Sequence, residues 1–211
     1  MVNITYKYTA NAKYATDLTN GLYTLELDNL APSVELFTVN ALAAEPVTKS
    51  FEQQFEIDAP FGAAVEVKAS AAYTGKVTIT GYDYLGQPVV EEVTASGTTG
   101  VMTNKCFKYI SSVVCAAGAA VVVTFTRKLI LGVPYKTVKI FNETRNGALV
   151  TTTQLVQPVN TEATVSSGEP RGKLNLGTYA SAANIKLILV ADDYSNADVG
   201  GGLFGVPHFH A

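Results

Sequence analysis

The most regular alternation of apolar and polar positions in the chain lies within residues 76–95. Val77 and Ile79 alternate with threonines, so a strand here carries apolar side chains on one face and hydroxyl groups on the other. Gly86 suits the positive φ of a tight turn, and Pro88 is tolerated at the first residue of a strand or on an edge. The segment therefore predicts a β-hairpin.

Short runs rich in Val, Ile, Thr, Tyr and Phe recur along the chain, separated by Gly, Asn, Asp or Pro. Their spacing of about 8–15 residues predicts an all-β antiparallel sandwich or barrel-like domain with short turns and little helix, rather than alternating β and α units. The predicted strands are 23–27, 54–57, 64–70, 76–82, 89–95, 108–114, 121–127, 137–142, 148–156 and 185–191.

Three further segments refine this organisation. Asn146-Gly147 is typical of a two-residue hairpin turn. Residues 36–45 have apolar side chains at helical spacing and stop before Pro46, which makes them the best candidate for a helix. Residues 165–172 have the composition of a surface loop.

A chain of 211 residues is compatible with a single all-β domain covering residues 1–211. The tail from Ser195 through Gly200–Gly202 has a composition that predicts flexibility in isolation. We expect residues 1–20 and 195–211 to be extended arms that contact neighbouring chains.

The composition is poor in charge, with 16% charged and 47% hydrophobic residues, whereas about a quarter of residues are usually charged. One interpretation is that partners or further copies of the chain cover part of the surface. The other is a solvent face rich in Thr, Ser and Asn.

The net charge of −3 and the pI near 5.4 argue against nucleic-acid binding, which needs a concentrated basic face. The longest apolar run, Val113–Val123, is too short to span a bilayer, and the N-terminal residues lack the order of a signal peptide. We therefore expect a chain made in the cytoplasm that enters no membrane. In that compartment Cys106 and Cys115 are expected to be reduced, buried and inert.

Candidate chemistry is sparse. His208 and His210 would give a metal only two ligands, and Asp192 and Asp193 could complete such a site only if the fold returned them. Glu91-Glu92 and Asp192-Asp193 are adjacent acids, and neighbours on a strand point to opposite faces, so one of each pair is expected to be solvated.

The usual nucleophile, phosphate-binding and zinc-protease motifs are absent from the sequence. We expect no enzyme activity, no cofactor, no metal and no small-molecule substrate.

Aromatic residues offer candidate contacts. The chain has 11 Tyr and no Trp, and Tyr82 and Tyr84 are the most plausible exposed pair. They could anchor a partner, line a sugar site or pack internally. In the C-terminal segment Phe204, Val206 and Phe209 suggest an apolar tail that docks on a neighbour.

Residues 80–94 read T-G-Y-D-Y-L-G-Q-P-V-V-E-E-V-T, which resembles a recurring hairpin of virion structural proteins of tailed bacteriophages, in the head-associated or capsid-decoration class. Leu131–Lys136 is similar to a G-L-P-Y-K/R segment of that group, with Val133 in place of Leu. Glu169–Gly172, followed by Thr178-Tyr179 and an apolar strand, resembles its C-terminal region, with Pro170 in place of an aliphatic residue.

The resemblance implies a non-enzymatic virion component, most simply a decoration or cement protein. Its partners would be the major capsid protein and further copies of itself, and it would reside in the virion after assembly in the host cytoplasm. Alternatives are a collar or tail protein, a capsid subunit, or a glycan-binding adhesion module.

Overall fold

The computed structural model describes residues 6–9, 21–158 and 168–191. These residues form strands and no helix, so the prediction of an all-β, sandwich-like or barrel-like fold is confirmed. The strands are β1 (Tyr6–Thr9), β2 (Gly21–Leu30), β3 (Val34–Ala41), β4 (Val47–Glu56), β5 (Ala63–Ala69), β6 (Lys76–Tyr82), β7 (Pro88–Thr94), β8 (Val101–Met102), β9 (Tyr109–Cys115), β10 (Val121–Gly132), β11 (Thr137–Arg145), β12 (Ala148–Leu149), β13 (Gln154–Val156), β14 (Lys173–Asn175) and β15 (Ala183–Ala191).

The strands form three antiparallel sheets. The first sheet has the order β1-β2-β15-β11-β12 and the third has the order β4-β9-β6-β7. The second sheet has the order β13-β14-β10-β5-β8, with β3 also paired to β10. The long strand β10 thus pairs with β5 along one edge, and with β3 and β14 in succession along the other.

The first sheet joins distant parts of the chain. Strand β15 lies between β2 and β11, with Leu187 opposite Leu25 in β2 and opposite Glu143 in β11. Every second residue of β15 is buried, which is the period-two pattern of a strand with one face on the core. The sheet therefore needs strands from both ends of the described chain.

The buried apolar side chains of all three sheets belong to one contiguous cluster. Phe37 of β3 and Phe125 of β10 stack with ring centroids 4.8 Å apart. Phe51 and Phe55 of β4 meet Phe37 edge to face at 4.9 and 5.2 Å. Aromatic contacts of this kind add to the stabilisation from burial, and here they hold the second and third sheets together.

Both predicted hairpin turns are confirmed. Strands β6 and β7 are joined by a turn in which Gly86 has φ +79° and the Gly86 N–H donates to the Asp83 carbonyl at 3.1 Å. Asn146 and Gly147, with φ of 47° and 82°, connect β11 to β12, as a two-residue hairpin loop requires.

The helix predicted for residues 36–45 is wrong, because most of that segment belongs to strand β3. Phe37, Val39 and Ala41 are buried on alternate positions, and β3 pairs with β10 along its length. These apolar residues satisfy a period of two as well as a helical period. Pairing with β10 supplies backbone hydrogen bonds that favour the strand, and β-branched side chains fit a sheet better than a helix.

The strand predicted for residues 148–156 is split into β12 and β13, because β12 pairs with β11 in the first sheet and β13 pairs with β14 in the second. Strand β14 was not predicted, since Lys173 and Asn175 give its three residues a polar sequence. The predicted arms, residues 1–20 and 195–211, lie almost entirely outside the described residues.

Two glycines with nearly the same positive φ provide a matched test of the packing. Gly62 has φ +81°, and a Cβ there would lie 2.5 Å from the Phe107 carbonyl oxygen, whereas a Cβ on Gly86 would have open space. Gly86→Ala should cost about 1–2 kcal/mol, the penalty for a left-handed alanine. Gly62→Ala should cost clearly more, because the backbone of β5 must also shift. Urea unfolding of both variants measures the difference, and equal losses would contradict this packing.

Candidate functional site

The three segments that resemble phage virion proteins lie next to one another in the folded chain. Asp83 is in the β6–β7 turn, Pro134 follows β10, and Arg171 precedes β14. The Arg171 guanidinium Nη2 lies 2.8 Å from Asp83 Oδ2, although the two residues are 88 positions apart. The Tyr84 hydroxyl donates a hydrogen bond to the Pro134 carbonyl. The fold therefore joins the three segments at one place.

Asp83 links the local turn to this distant contact. Its Oδ1 accepts hydrogen bonds from the backbone N–H groups of Leu85 and Gln87 at 2.9 and 2.8 Å, which shapes the turn. Its Oδ2 is left to bind Arg171. Because both side chains of the ion pair are almost fully buried, the turn is fixed in position as well as in shape.

Arg171 also contacts a second acid and an aromatic ring. Glu169 Oε1 lies 3.5 Å from its Nη2, and its guanidinium carbon lies 5.1 Å from the centre of the Tyr84 ring. Burial alone lowers the pKa of Arg171, but Glu169 and Asp83 outweigh burial and the pKa is raised. The guanidinium therefore stays charged inside the protein.

The segment around Arg171 is held through its backbone as well. The Arg171 carbonyl accepts from the Thr137 N–H at 2.9 Å, and Glu169 Oε2 accepts from the Cys106 N–H at 3.0 Å. Gly172 takes φ +81° directly after Arg171. Residues 165–172 were expected to form a surface loop. That expectation is wrong for residues 169–172, which are buried because their charges have partners.

Glu91 is a third buried acid beside Asp83 and Glu169. We call the whole arrangement the ionic cluster (Asp83, Glu91, Lys105, Glu169, Arg171 and Lys173). Glu91 accepts from the backbone N–H groups of Asn104 and Lys105 at 2.6 and 2.8 Å. Lys173 Nζ donates to the Asn104 carbonyl at 2.6 Å. Burial raises the pKa of Glu91 to about 7, although the hydrogen bonds from the Asn104 and Lys105 backbone and the nearby lysines lower it.

The first and second sheets meet at another buried ion pair. Glu143 Oε1 lies 2.7 Å from Arg145 Nε, and the Glu143 carboxylate also accepts from the N–H and hydroxyl of Thr153. The Arg145 guanidinium donates to the Leu176 carbonyl and lies over the Tyr179 ring at 5.4 Å. Burial raises the pKa of Glu143, but its bonds to Thr153 and Arg145 outweigh burial and lower it.

The surface beside this ion pair carries two exposed apolar side chains. Phe141 and Leu149 are 65% and 72% exposed, the highest values among the large apolar residues that the structure describes. Both line a shallow groove of about 410 Å³ at the β11–β12 hairpin. We call it the hairpin groove, and its lining residues are Ile140, Phe141, Asn142, Glu143, Leu149, Val150, Thr151 and Thr153.

A larger open groove of about 570 Å³ lies along the second sheet, and we call it the tyrosine groove. It has one aromatic residue among polar and aliphatic ones. Its lining residues are Pro32, Ser33, Lys128, Leu129, Ile130, Asn175, Gly177, Thr178 and Tyr179.

The predicted interface tyrosines are only partly exposed. Tyr84 packs edge to face on Phe61 at 5.0 Å and lies against Arg171, so its ring has an internal role. Tyr82 is partly buried in β6, opposite Pro88. A contact of either tyrosine with a partner stays a prediction.

The remaining predicted interface residues, Phe204, Val206 and Phe209, lie outside the described residues, and so do the two histidines and the Asp192-Asp193 pair. Within the described ranges, no group of three or more His, Cys, Asp or Glu side chains is arranged to hold a metal ion.

Other predicted features are described by the structure. Glu91 and Glu92 point to opposite faces of β7, with Glu91 buried and Glu92 paired to Lys76 at 2.8 Å.

Cys106 and Cys115 are free and buried, as predicted. Burial raises the pKa of the Cys115 thiol to about 11 and raises that of Cys106 well above its ordinary value, so both thiols stay protonated.

No protein-family model matches this chain, and neither a curated protein nor a solved structure is significantly similar to it. In residues 6–9, 21–158 and 168–191 there is no helix of the length and hydrophobicity needed to cross a membrane.

Removal of the buried Arg171 guanidinium should strongly lower the free energy of unfolding. Arg171→Met removes the guanidinium that faces the buried carboxylates of Asp83 and Glu169, and removal of one partner of a buried ion pair typically costs about 3–5 kcal/mol. The matched control is Lys76→Met, which breaks the solvent-exposed pair with Glu92 and should cost less than about 1 kcal/mol. Denaturant unfolding compares the two, and a similar loss in both variants would refute the importance of the ionic cluster.

Glu91 should make stability depend on pH. A carboxyl pKa raised from 4.5 to about 7 means that the folded state holds the proton more tightly than the unfolded chain. The stabilisation from this group is therefore complete below about pH 4.5 and is lost as the pH rises through about 7. The difference in unfolding free energy between wild type and Glu91→Gln should change across that window. Glu92→Gln, on the opposite face, is the control, and no difference in slope for Glu91→Gln would contradict the shift.

Proposed function

We propose that this protein is a structural component of a tailed-phage virion, and specifically a decoration or cement protein that binds the capsid shell. The observation that carries the proposal is the meeting of the three resembling segments at the ionic cluster. Segments that matched one class of proteins by chance would have no reason to be neighbours in the fold. Here Asp83, Tyr84 and Arg171 contact one another or the chain at Pro134.

The distribution of charge supports the same function. Only 16% of the residues are charged, and several of these are buried, including Glu91, Lys105, Glu143 and Arg171. The outer surface is therefore poorer in charge than the composition alone indicates. Such a surface is suited to contact with other chains.

The ionic cluster has a structural role in this proposal. Its charges are close to one another and to backbone groups, and they fix the β6–β7 turn against the segment before β14. A protein whose strands are fixed in this way changes its conformation little on binding. It stabilises the shell by mass action, since it binds the assembled shell and not its separated subunits. The partners are the major capsid protein and further copies of this chain, in a virion assembled in the host cytoplasm, with no enzymatic step.

A glycan-binding adhesion module is the second candidate, and the tyrosine groove is the observation that favours it. Tyr179 lies there beside Lys128 and Asn175, and an aromatic ring beside hydrogen-bonding side chains can hold a sugar. Part of the ring is already covered by Arg145. A collar or tail protein, or a capsid subunit, would use the same rigid fold at another position of the virion.

Binding to shells tests the proposal. The purified protein should co-sediment with empty shells of the phage that encodes it, saturate at a fixed ratio to capsid subunits, and raise the temperature at which those shells dissociate. Shells of an unrelated phage are the control. Absence of binding, together with a positive glycan array that Tyr179→Ala abolishes, would replace the capsid proposal with the adhesion function.

A further inference from the structure

The hairpin groove carries exposed apolar side chains at the edge of the first sheet, beside polar ones. Strand β12 is the outermost strand of that sheet, and it has only two residues. Phe141 and Leu149 project from this edge with most of their surface in water. An exposed apolar patch on a sheet edge favours association with another chain unless other residues cover it.

The C-terminal segment of the chain has the complementary chemistry. Phe204, Val206 and Phe209 are apolar and have no charged residue between them. Phe204 and Val206 are two positions apart, so in an extended segment both side chains point to the same side. The hairpin groove, at about 410 Å³, is within the range of about 300–1,000 Å³ typical of binding clefts.

The position and direction of β15 decide whose tail can reach the groove most directly. Strand β15 ends at Ala191, opposite Thr137 at the start of β11. The β11 residues that line the hairpin groove, 140–143, pair with β15 before that end, with Ile140 opposite Leu189 and Glu143 opposite Leu187. The chain therefore leaves the sheet heading away from its own hairpin groove.

The chain after β15 is long enough to cross to a neighbour. Residues 192–203 separate Ala191 from Phe204. Extended, this stretch reaches about 40 Å. To fill its own groove the tail would have to reverse direction along the sheet, whereas a second copy placed beyond the end of β15 needs no reversal.

We propose that the apolar segment Phe204–Phe209 of one copy docks in the hairpin groove of a second copy, against Phe141 and Leu149. This inference rests on the proposed function in taking the protein to be an assembling virion component. The contact joins copies of the chain directly, so its test requires no shells.

Self-association tests the two sides of the contact separately. Analytical ultracentrifugation should show association of the full chain that weakens about tenfold or more in Phe141→Ser/Leu149→Ser, since two apolar anchors are lost. Deletion of residues 200–211 should weaken it equally, and combining the changes should add little. Leu42→Ser, which alters a 40% exposed residue outside the groove, is the matched control. A monomeric full chain, or additive losses, would overturn the proposal.

A disulfide test distinguishes two copies from one. A Leu149→Cys chain mixed with a Val206→Cys chain should form a covalent dimer on mild oxidation, because the native Cys106 and Cys115 are buried. A chain with both substitutions that closes only on itself, with no dimer in the mixture, would show that the tail fills its own groove and would refute the exchange. No disulfide in either case would refute the docking site.

Parallel binding to shells separates this contact from the proposed function. Variants that no longer self-associate but still bind shells would leave the capsid proposal intact and confine the tail to contacts between copies. Full-length protein that self-associates through the tail but ignores shells would support the contact and overturn the capsid proposal.

Discussion

The buried pair of Arg171 and Asp83 is the interaction on which the rest of the structure depends. It joins the turn of the third sheet to the segment that leads into β14 of the second sheet. Through its carbonyl, Arg171 also receives the Thr137 N–H at the start of β11, in the first sheet. Burying a charged pair costs desolvation, so it is tolerated only where the geometry satisfies both partners. That requirement is a form of specificity, because alternative packings of these strands would leave the charges unpaired.

The sequence predicted best those features that residues within a few positions decide. The alternation at Val77 and Ile79 identified β6, because a strand's period of two is visible in neighbouring residues. Asn146-Gly147 identified a turn, because a positive φ favours Asn and Gly. The helix prediction for residues 36–45 is wrong because their apolar spacing fits both a helix and a strand. Pairing of β3 with β10 favours the strand, and this pairing involves residues distant in the sequence.

The contacts within the ionic cluster could not be predicted from neighbouring residues in the sequence. Nothing near Arg171 in the sequence shows that Asp83, 88 positions away, will neutralise it. For Glu91-Glu92 the sequence predicts only that one of the two acids is solvated, and it does not show that Glu91 accepts hydrogen bonds from the backbone of Asn104 and Lys105. The resemblance to virion proteins marked two segments that contain members of the cluster, residues 80–94 and 169–172, but it gave no reason for their contact. That reason is electrostatic and becomes visible only in three dimensions.

The central position of β15 has a consequence for synthesis of the protein. Strand β2 pairs with β15, so residues 21–30 have no partner on that edge until residues 183–191 have left the ribosome. At about 5–20 residues per second, this wait lasts on the order of ten seconds. A nascent chain cannot close the first sheet early, and the unpaired edge of β2 stays open to wrong partners in the meantime. The order of the strands thus delays completion of the first sheet until β15 has been synthesised.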